Sequence, residues 1–256
     1  MPESDLELLL AAAREAGEIA CRHWREDPKV WDKGVDGPVS EADYEVDAYL
    51  KDKLRTARPD YGWLSEETPD TPLNRAGRRV FVVDPIDGTR AFIDGERTWA
   101  HSIAVVEDGR PVDGVVHLPA HGKTYAAASG NGATLNGAPV RISGRREITG
   151  ATFLAPRVSF DQKHWKGEVP HVERAFRPSL AYRLCLVAEG RFDGMMTFRP
   201  TWEWDIAAGT LIAIEAGATV TDKRGRPLVF NNPDPRLDGV IAAGQALHAE
   251  VAGRIA

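Results

Sequence analysis

Apolar positions recur at three- and four-residue spacing near the start of the chain, at Leu6, Leu9, Leu10, Ala13, Gly17, Ala20, Cys21 and Trp24. That period predicts an amphipathic helix from about Asp5 to Glu26, ended by Pro28. A second helix opens at Ser40, with Asp43 as an acidic capping partner and Ala42, Val46, Leu50 and Leu54 as its buried stripe. Then the period shortens. Trp63-Leu64-Ser65 reads as a short strand and Val80-Phe81-Val82-Val83 as a buried one. Ser102 to Val106 and Val112 to Leu118 flank Asp108-Gly109, a hairpin signature, and Thr124 to Ala128 with the glycine-rich run after it extends an antiparallel meander. Arg90 to Trp99 reads as a short helix or an irregular turn.

A polar run from Ser143 to Thr149 marks the expected boundary between an N-terminal α+β half, 1–145, and a C-terminal α/β half, 146–256. In the second half Ala151 to Pro156 predicts a strand and Val172 to Phe176 a short helix. Leu180, Leu184, Val187 and Ala188 form a helical stripe ended by Gly190, and Met195 to Phe198 reads as a strand. An apolar helix from Ile206 to Ala216, a strand at Ala218 to Thr221, a strand at Gly239 to Ala243 and a helix from Ala246 to Ile255 complete the chain. Helices and strands in this order predict layered α and β elements in one body.

Length and composition narrow the class without naming a chemistry. The 256 residues are 43% hydrophobic and 27% charged, enough to bury a sizeable core. Cys21 and Cys185 both fall in apolar helical patterns and read as reduced core residues, as in a cytoplasmic protein. The first twenty residues have no basic stretch and are interrupted by Glu7, Arg14 and Glu15, which argues against a signal peptide or a membrane span. A net charge of −6 argues against a nucleic-acid polymer as partner but not against a small anion bridged by metal.

The chemistry is most legible in Val80 to Thr89, where a buried strand runs into Asp84-Pro85-Ile86-Asp87-Gly88-Thr89. Proline breaks the ladder and glycine permits a tight corner, so both carboxylates can enter one small volume. There they would repel unless a cation joined them, and oxygen-only ligands suit Mg²⁺ better than Zn²⁺. The same residues also make good turn chemistry. Two other acids stand at element ends: Glu66 after the Trp63 strand, and Asp205, which reads either as a helix cap or as a ligand beside a helix terminus. Sequence spacing leaves open whether they meet.

The blocks Leu64-Ser65-Glu66-Glu67, DPIDGTRAF from Asp84 and Trp204-Asp205-Ile206-Ala207-Ala208-Gly209, in this order, resemble the inositol monophosphatase superfamily of Mg²⁺-dependent, lithium-sensitive phosphatases. The resemblance spans the chain from Lys33 to the last strand and implies an αβαβα sandwich with the site between the halves. By position it implies Glu66, Asp84 and the Ile86 carbonyl on one metal, and Asp84, Asp87 and Asp205 on a second, with Glu66 reaching a third through water. It makes Thr89 and Asp43 the pair that deprotonates the attacking water, with Glu66 as their catalytic neighbour. Gly88 and Thr89 would offer N–H groups to phosphate, and Lys33 would lie beside the metals. Ser65 stands where the family usually has glycine, which is tolerable at negative φ. Homodimers are common among such enzymes.

The substrate expectation rests on a departure. Inositol monophosphatases carry a glutamate seven residues before the motif aspartate, and this chain has Phe198 there. Loss of a polar contact to a polyol disfavours inositol phosphate. The run from Leu184 to Gly209 is more similar to the 3′(2′),5′-bisphosphate nucleotidase branch, which implies adenosine 3′,5′-bisphosphate as substrate and Arg183 as a holder of its second phosphate. Phe198, Trp202 or Tyr182 could lie against a base, or simply pack. Lys163, His164 and Trp165 border the same pocket or belong to a solvated loop. DPIDGTRAFI followed by Gly95 and Trp99 also resembles histidinol-phosphate phosphatases, and inositol 1-phosphate is the further alternative. A non-catalytic relic of the fold is disfavoured, because every matched ligand is intact, as are Thr89 and Asp43.

Overall fold

The computed structural model describes residues 3–34 and 37–256; the loop between Lys33 and Pro38 lies partly outside them. Two sheets and three helical layers alternate. The first sheet has seven strands in the order β3-β4-β5-β6-β7-β8-β9. These are β3 (Gly62–Ser65), β4 (Arg79–Asp87), β5 (Ala100–Glu107), β6 (Arg110–Leu118), β7 (Lys123–Ala128), β8 (Ala133–Leu135) and β9 (Ala138–Pro139). A small antiparallel pair, β1 (Val30–Asp32) and β2 (Pro38–Ser40), precedes it. Every neighbour pair in the large sheet is antiparallel except β3 with β4.

Both faces of β4 are buried, which its unbroken apolar run requires. Phe81 and Val83 face α1 (Asp5–His23) and α2 (Glu41–Ala57), while Val80 and Val82 face the second core. That second core holds α4 (Leu180–Ala188) and α5 (Glu203–Glu215), lying between the sheets. The second sheet has the order β11-β10-β12-β16-β14: β10 (Thr152–Leu154), β11 (Glu173–Ala175), β12 (Gly194–Thr197), β14 (Ala218–Thr221) and β16 (Val240–Gly244). A short pair, β13 (Thr201–Trp202) with β15 (Arg236–Leu237), stands apart from it. Its outer face is covered by α6 (Gln245–Arg254) through Leu247 and Val251. The layers are therefore αβαβα.

Three expectations change. The segment expected as a helix at Val172 to Phe176 is strand β11, parallel to β10, because prolines at 170 and 178 leave no room for helical turns beside an edge that accepts a ladder. The first helix stops at His23, with Trp24 as its C-cap in extended conformation. Its buried stripe is Leu8, Leu9, Ala12, Ala13, Ala16, Gly17 and Ala20, so Cys21, expected in the core, is exposed. The small residues decide that rotation: a Cβ on Gly17 would meet His117 Nε2 at 2.8 Å, so the helix turns its least bulky side to the sheet. Cys185 is buried as expected, and both cysteines are free. Among the described residues no helix is long and apolar enough to cross a membrane.

Candidate active site

Strand β4 pairs with β5 until its register shifts between Asp84 and Asp87. Pro85, with no N–H to give, sits at that break. Gly88 follows at φ 102°, where a Cβ would stand 3.0 Å from the Thr98 carbonyl oxygen. Glycine alone suits that corner, and it lets the short helix α3 (Thr89–Ile93) start directly behind the acids.

Asp84 is 1% exposed, and its Oδ1 has no hydrogen-bond partner. Burial pushes its carboxyl well above the ordinary range, and the charges of Glu66, Asp87, Asp205 and Asp43 push it further. Asp205 is raised well above its usual value by burial and then by Asp87 and Glu66, against the pull of Arg199 and Arg183. Acids from β3's end, β4's corner, α2 and α5 therefore face one another across the seam between the sheets. Asp87 differs in being anchored: its Oδ2 accepts from Ser179 Oγ at 2.6 Å and from the Ala181 N–H at 2.7 Å. Burial still pushes it up to about 6, against those two bonds.

Asp205 arrives by close packing of α5. A Cβ on Gly114 of β6 would lie 3.1 Å from Ala208 Cα, and one on Gly209 would lie 2.8 Å from Leu184 Cδ1. The small residues after Asp205 thus let the helix sink between a strand and α4. Its first turn is fixed by Ser102 Oγ donating to the Trp204 carbonyl at 2.8 Å. Buried Glu203 accepts from the Asn231 N–H at 2.5 Å and from the Asn232 N–H at 2.9 Å.

Asp43 closes the capping box of α2, taking Ser40 N–H at 2.8 Å and Ser40 Oγ at 2.6 Å on one oxygen. Its other oxygen lies 3.1 Å from Thr89 Oγ1, so capping and the Thr89 contact coexist in one carboxylate. Thr89 Oγ1 is also 3.1 Å from the Ile86 carbonyl. One proton cannot serve both, and donation to the carboxylate is the stronger choice. Burial pushes Asp43 up to about 6, with Glu66 adding and the Ser40 and Thr89 bonds opposing.

Lys33 Nζ reaches Glu66 at 3.0 Å and Glu67 at 2.7 Å. Burial works against its charge, but the two carboxylates outweigh it and hold the ammonium above its ordinary value. Glu67 is pushed up to about 7 by burial and by Glu66. Ser65 has a negative φ, so the departure from glycine there carries no strain, and its hydroxyl donates to Asp47 at 2.5 Å. Arg183 is buried: its Nε donates to the Arg177 carbonyl and its Nη2 to the Pro178 carbonyl at 3.1 Å, with Phe176 4.2 Å below its guanidinium. Burial lowers it to about 10, against the attraction of Asp87 and Asp205.

Several positioning groups have no counterpart in the sequence-based reading. Ser179, the N-cap of α4, holds Asp87, and Pro178-Ser179 ahead of an apolar stripe was the available signal. His101 and Ser102 donate to backbone carbonyls, which no residue pattern announces.

Among the described residues, no three His, Cys, Asp or Glu side chains are drawn together tightly enough to grip a metal ion alone. Mg²⁺ does not need such a cage, since it keeps several waters and takes one or two carboxylates plus substrate phosphate. An orphaned, buried carboxylate oxygen on Asp84 within an all-oxygen acid group fits a hard divalent cation. Acids gathered around an orphaned oxygen at the seam of an αβαβα sandwich define a candidate cation site. Comparison with known proteins narrows it: the profile of the inositol monophosphatase family matches residues 1–255. The inositol-1-monophosphatase of Rhizobium meliloti is 34% identical over 86% of this chain and 86% of its own. The histidinol-phosphatase of Chlorobaculum parvum is 32% identical over 95% and 93%. The 3′(2′),5′-bisphosphate nucleotidase CysQ of Escherichia coli is 32% identical over 88% and 93%. The extragenic suppressor protein suhB of Bartonella henselae superposes with a TM-score of 0.82 at 29% identity, covering 96% of each chain. The chain belongs to the inositol monophosphatase family. That family is one of phosphatases and is generally metal-dependent.

Proposed function

We propose that this chain is a Mg²⁺-dependent, Li⁺-sensitive phosphoric monoester hydrolase, with a 3′(2′),5′-bisphosphate nucleotide as its favoured substrate. The observation that carries the reading is Asp84, buried with an unpartnered oxygen among Glu66, Asp87, Asp205 and Asp43. Glu66, Asp84, the Ile86 carbonyl, Asp87 and Asp205 would hold the ions, with Lys33 beside them. When bound, the metal supplies charge neutralisation and a water of lowered pKa.

The protein's own part is positioning and proton movement. The water oxygen bonds to phosphorus while the ester P–O bond breaks, its electron pair leaving with the alcohol oxygen, which takes a proton from solvent water. The water proton passes to Thr89 Oγ1 as the Thr89 proton passes to Asp43, whose buried carboxylate is basic enough to take it near neutrality. Backbone N–H groups of Gly88 and Thr89 at the start of α3 orient the phosphate. Arg183 gives one N–H on Nε and one on Nη2 to backbone carbonyls, and its other N–H groups would hold the second phosphate while its charge acts beside Asp87 and Asp205.

Phe198 supports the nucleotide over the polyol: it stands where inositol monophosphatases carry a glutamate, and its buried ring, 6% exposed, offers no acceptor to a sugar hydroxyl. Histidinol phosphate is the second reading, favoured by the likeness to a histidinol-phosphatase across 95% of this chain; inositol 1-phosphate is the third. Phosphate release from adenosine 3′,5′-bisphosphate, histidinol phosphate, inositol 1-phosphate and fructose 1,6-bisphosphate decides among them. We expect release with Mg²⁺, fastest on the first, and loss with EDTA or Li⁺. Turnover that persists in excess EDTA would overturn the mechanism.

A further inference from the structure

Helix α2 carries two buried acids one turn apart, Asp43 and Asp47, both on its buried face. Asp43 turns to Thr89. Asp47 has no part in the chemistry above, yet it is 7% exposed and each of its oxygens is taken by a hydroxyl. Its Oδ1 accepts from Ser65 Oγ at 2.5 Å and its Oδ2 from Thr68 Oγ1 at 2.7 Å. Those two residues stand immediately before and after Glu66-Glu67.

The contact continues into the core. Thr68 Oγ1 has one proton and gives it to Asp47, so it accepts from Trp63 Nε1, 3.1 Å away. Trp63 is itself buried in the core that β3 shares with α1 and α2. At the other end of the turn, the ladder of β3 with β4 stops at Ser65 opposite Val83, and the Glu66 N–H adds a longer bond to the Val83 carbonyl at 3.3 Å. Beyond that point the ladder no longer directs the backbone, and side chains must. Lys33 also reaches this turn, but it takes the carboxylates of Glu66 and Glu67, the atoms a cation would need. Asp47 grips the residues on either side and leaves those carboxylates free. For packing alone a buried carboxylate is a costly choice, since an apolar side chain would fill the space without desolvating a charge.

We infer that Asp47 is a positioning residue, a clamp on the turn from Ser65 to Thr68 that holds the Glu66 carboxylate toward Asp84 for a shared divalent cation; this rests on the metal-dependent phosphatase reading. Asp43 and Asp47 then divide one helix face between them, the first acting on the Thr89 hydroxyl and the second fixing a metal-binding acid. Ser65 stands where the family usually has glycine, which has no hydroxyl to give. The Oδ1 half of the clamp therefore belongs to this chain and not to the motif.

The test is Mg²⁺ binding to the substrate-free protein, measured by calorimetry for Asp47→Asn, Ser65→Ala and the double variant, each first checked for a cooperative melt. We expect Asp47→Asn to weaken Mg²⁺ binding about tenfold, the scale of losing a group that orients a metal ligand. Ser65→Ala should weaken it less. The double variant should bind no more weakly than Asp47→Asn alone, because both changes act through one clamp. Turnover at saturating Mg²⁺ should return to most of its unaltered value in each. Unchanged Mg²⁺ affinity with only the melting temperature lowered would overturn the clamp, as would losses that simply add in the double variant. Should Asp47→Asn fail to fold, Ser65→Ala and Thr68→Val, each short of one hydroxyl, decide the matter: weaker binding in both supports the clamp, and unchanged binding in either overturns it. If the unaltered protein binds Mg²⁺ and releases phosphate and the variants bind the ion equally well, the phosphatase reading stands without the clamp. If the unaltered protein neither binds the ion nor cleaves any ester, that reading falls and the clamp with it.

Discussion

The two ends of β4 treat buried acids in opposite ways. At its amino end Arg79 donates to Asp5 at 2.8 Å, and Arg58 and Tyr61 complete the set at 2.8 Å each. At its carboxyl end, Asp84 keeps an oxygen with no partner and other acids around it. Asp5 ties the start of α1 to the sheet, and every donor it needs is built into the chain. Asp84 lacks such donors, and an unpaired buried carboxylate costs free energy unless a cation arrives from outside. One end of the strand serves stability, and the other trades stability for a binding site.

The largest effect that would sharpen this contrast is Asp84→Asn. We expect turnover to fall about a thousandfold, as when a group that stabilises transition-state charge is lost. The metal-free protein should meanwhile become more stable. The sign follows from the raised pKa of Asp84: its folded state holds the proton more tightly than the unfolded chain does, so stability is lost as pH rises through the folded value. Asparagine does not ionise and escapes that loss. Thermal melts in EDTA should show the variant above the unaltered protein at neutral pH, the gap narrowing toward acid. A variant that melts lower at every pH would mean that Asp84 is a structural acid like Asp5.

The opposite change is Asp5→Asn. It takes the carboxylate partner from Arg58 and one of two from Arg79, which keeps Glu107 at 3.3 Å, and we expect a loss of about 1–2 kcal/mol, less than a fully buried pair would lose because solvent screens both arginines. Turnover per folded molecule should hold. A drop in turnover without a drop in melting temperature would dissolve the contrast between the ends of the strand.

How much of this could be read from the sequence follows the same division. The Asp84 to Thr89 corner was legible because its chemistry is compressed into consecutive residues, and the alternation of cores on β4 follows from a run too apolar to face water. Asp205 was legible as an element-end acid, but its meeting with Asp84 depends on Gly114 and Gly209 letting α5 sink, a fact of packing across distant segments. Asp43 left two readings open, and the structure shows why: one of its oxygens caps α2 while the other meets Thr89. The rotation of α1 that exposes Cys21 was hidden because alanine and glycine count weakly in a hydrophobic pattern and strongly in close contact. Strand β11 was misread as helix because three residues hold too little period to choose.

The smallest effect concerns a group that was silent in the sequence. His101 is fully buried, and its Nδ1 bonds the carbonyl of Pro85, between two of the expected ligands, Asp84 and Ile86. Trp99 and His117 hold its ring, with centres 5.6 and 6.1 Å away. The bond supports the corner from behind through the backbone, so removing it should loosen the acids without touching them. His101→Phe leaves a buried carbonyl unsatisfied, and we expect a loss of about 1 kcal/mol together with weaker Mg²⁺ binding by calorimetry. His101→Asn keeps an N–H in reach and should recover most of both. It should also blunt acid sensitivity. Burial lowers His101 from 6.5 to about 3, so its neutral form supports the fold above pH 6.5 and that support is lost as pH falls toward 3. The asparagine variant should lose stability less steeply over that window. Variants that bind Mg²⁺ alike, with only the melting temperature changed, would show that His101 fills space behind the corner and does not set the corner's shape.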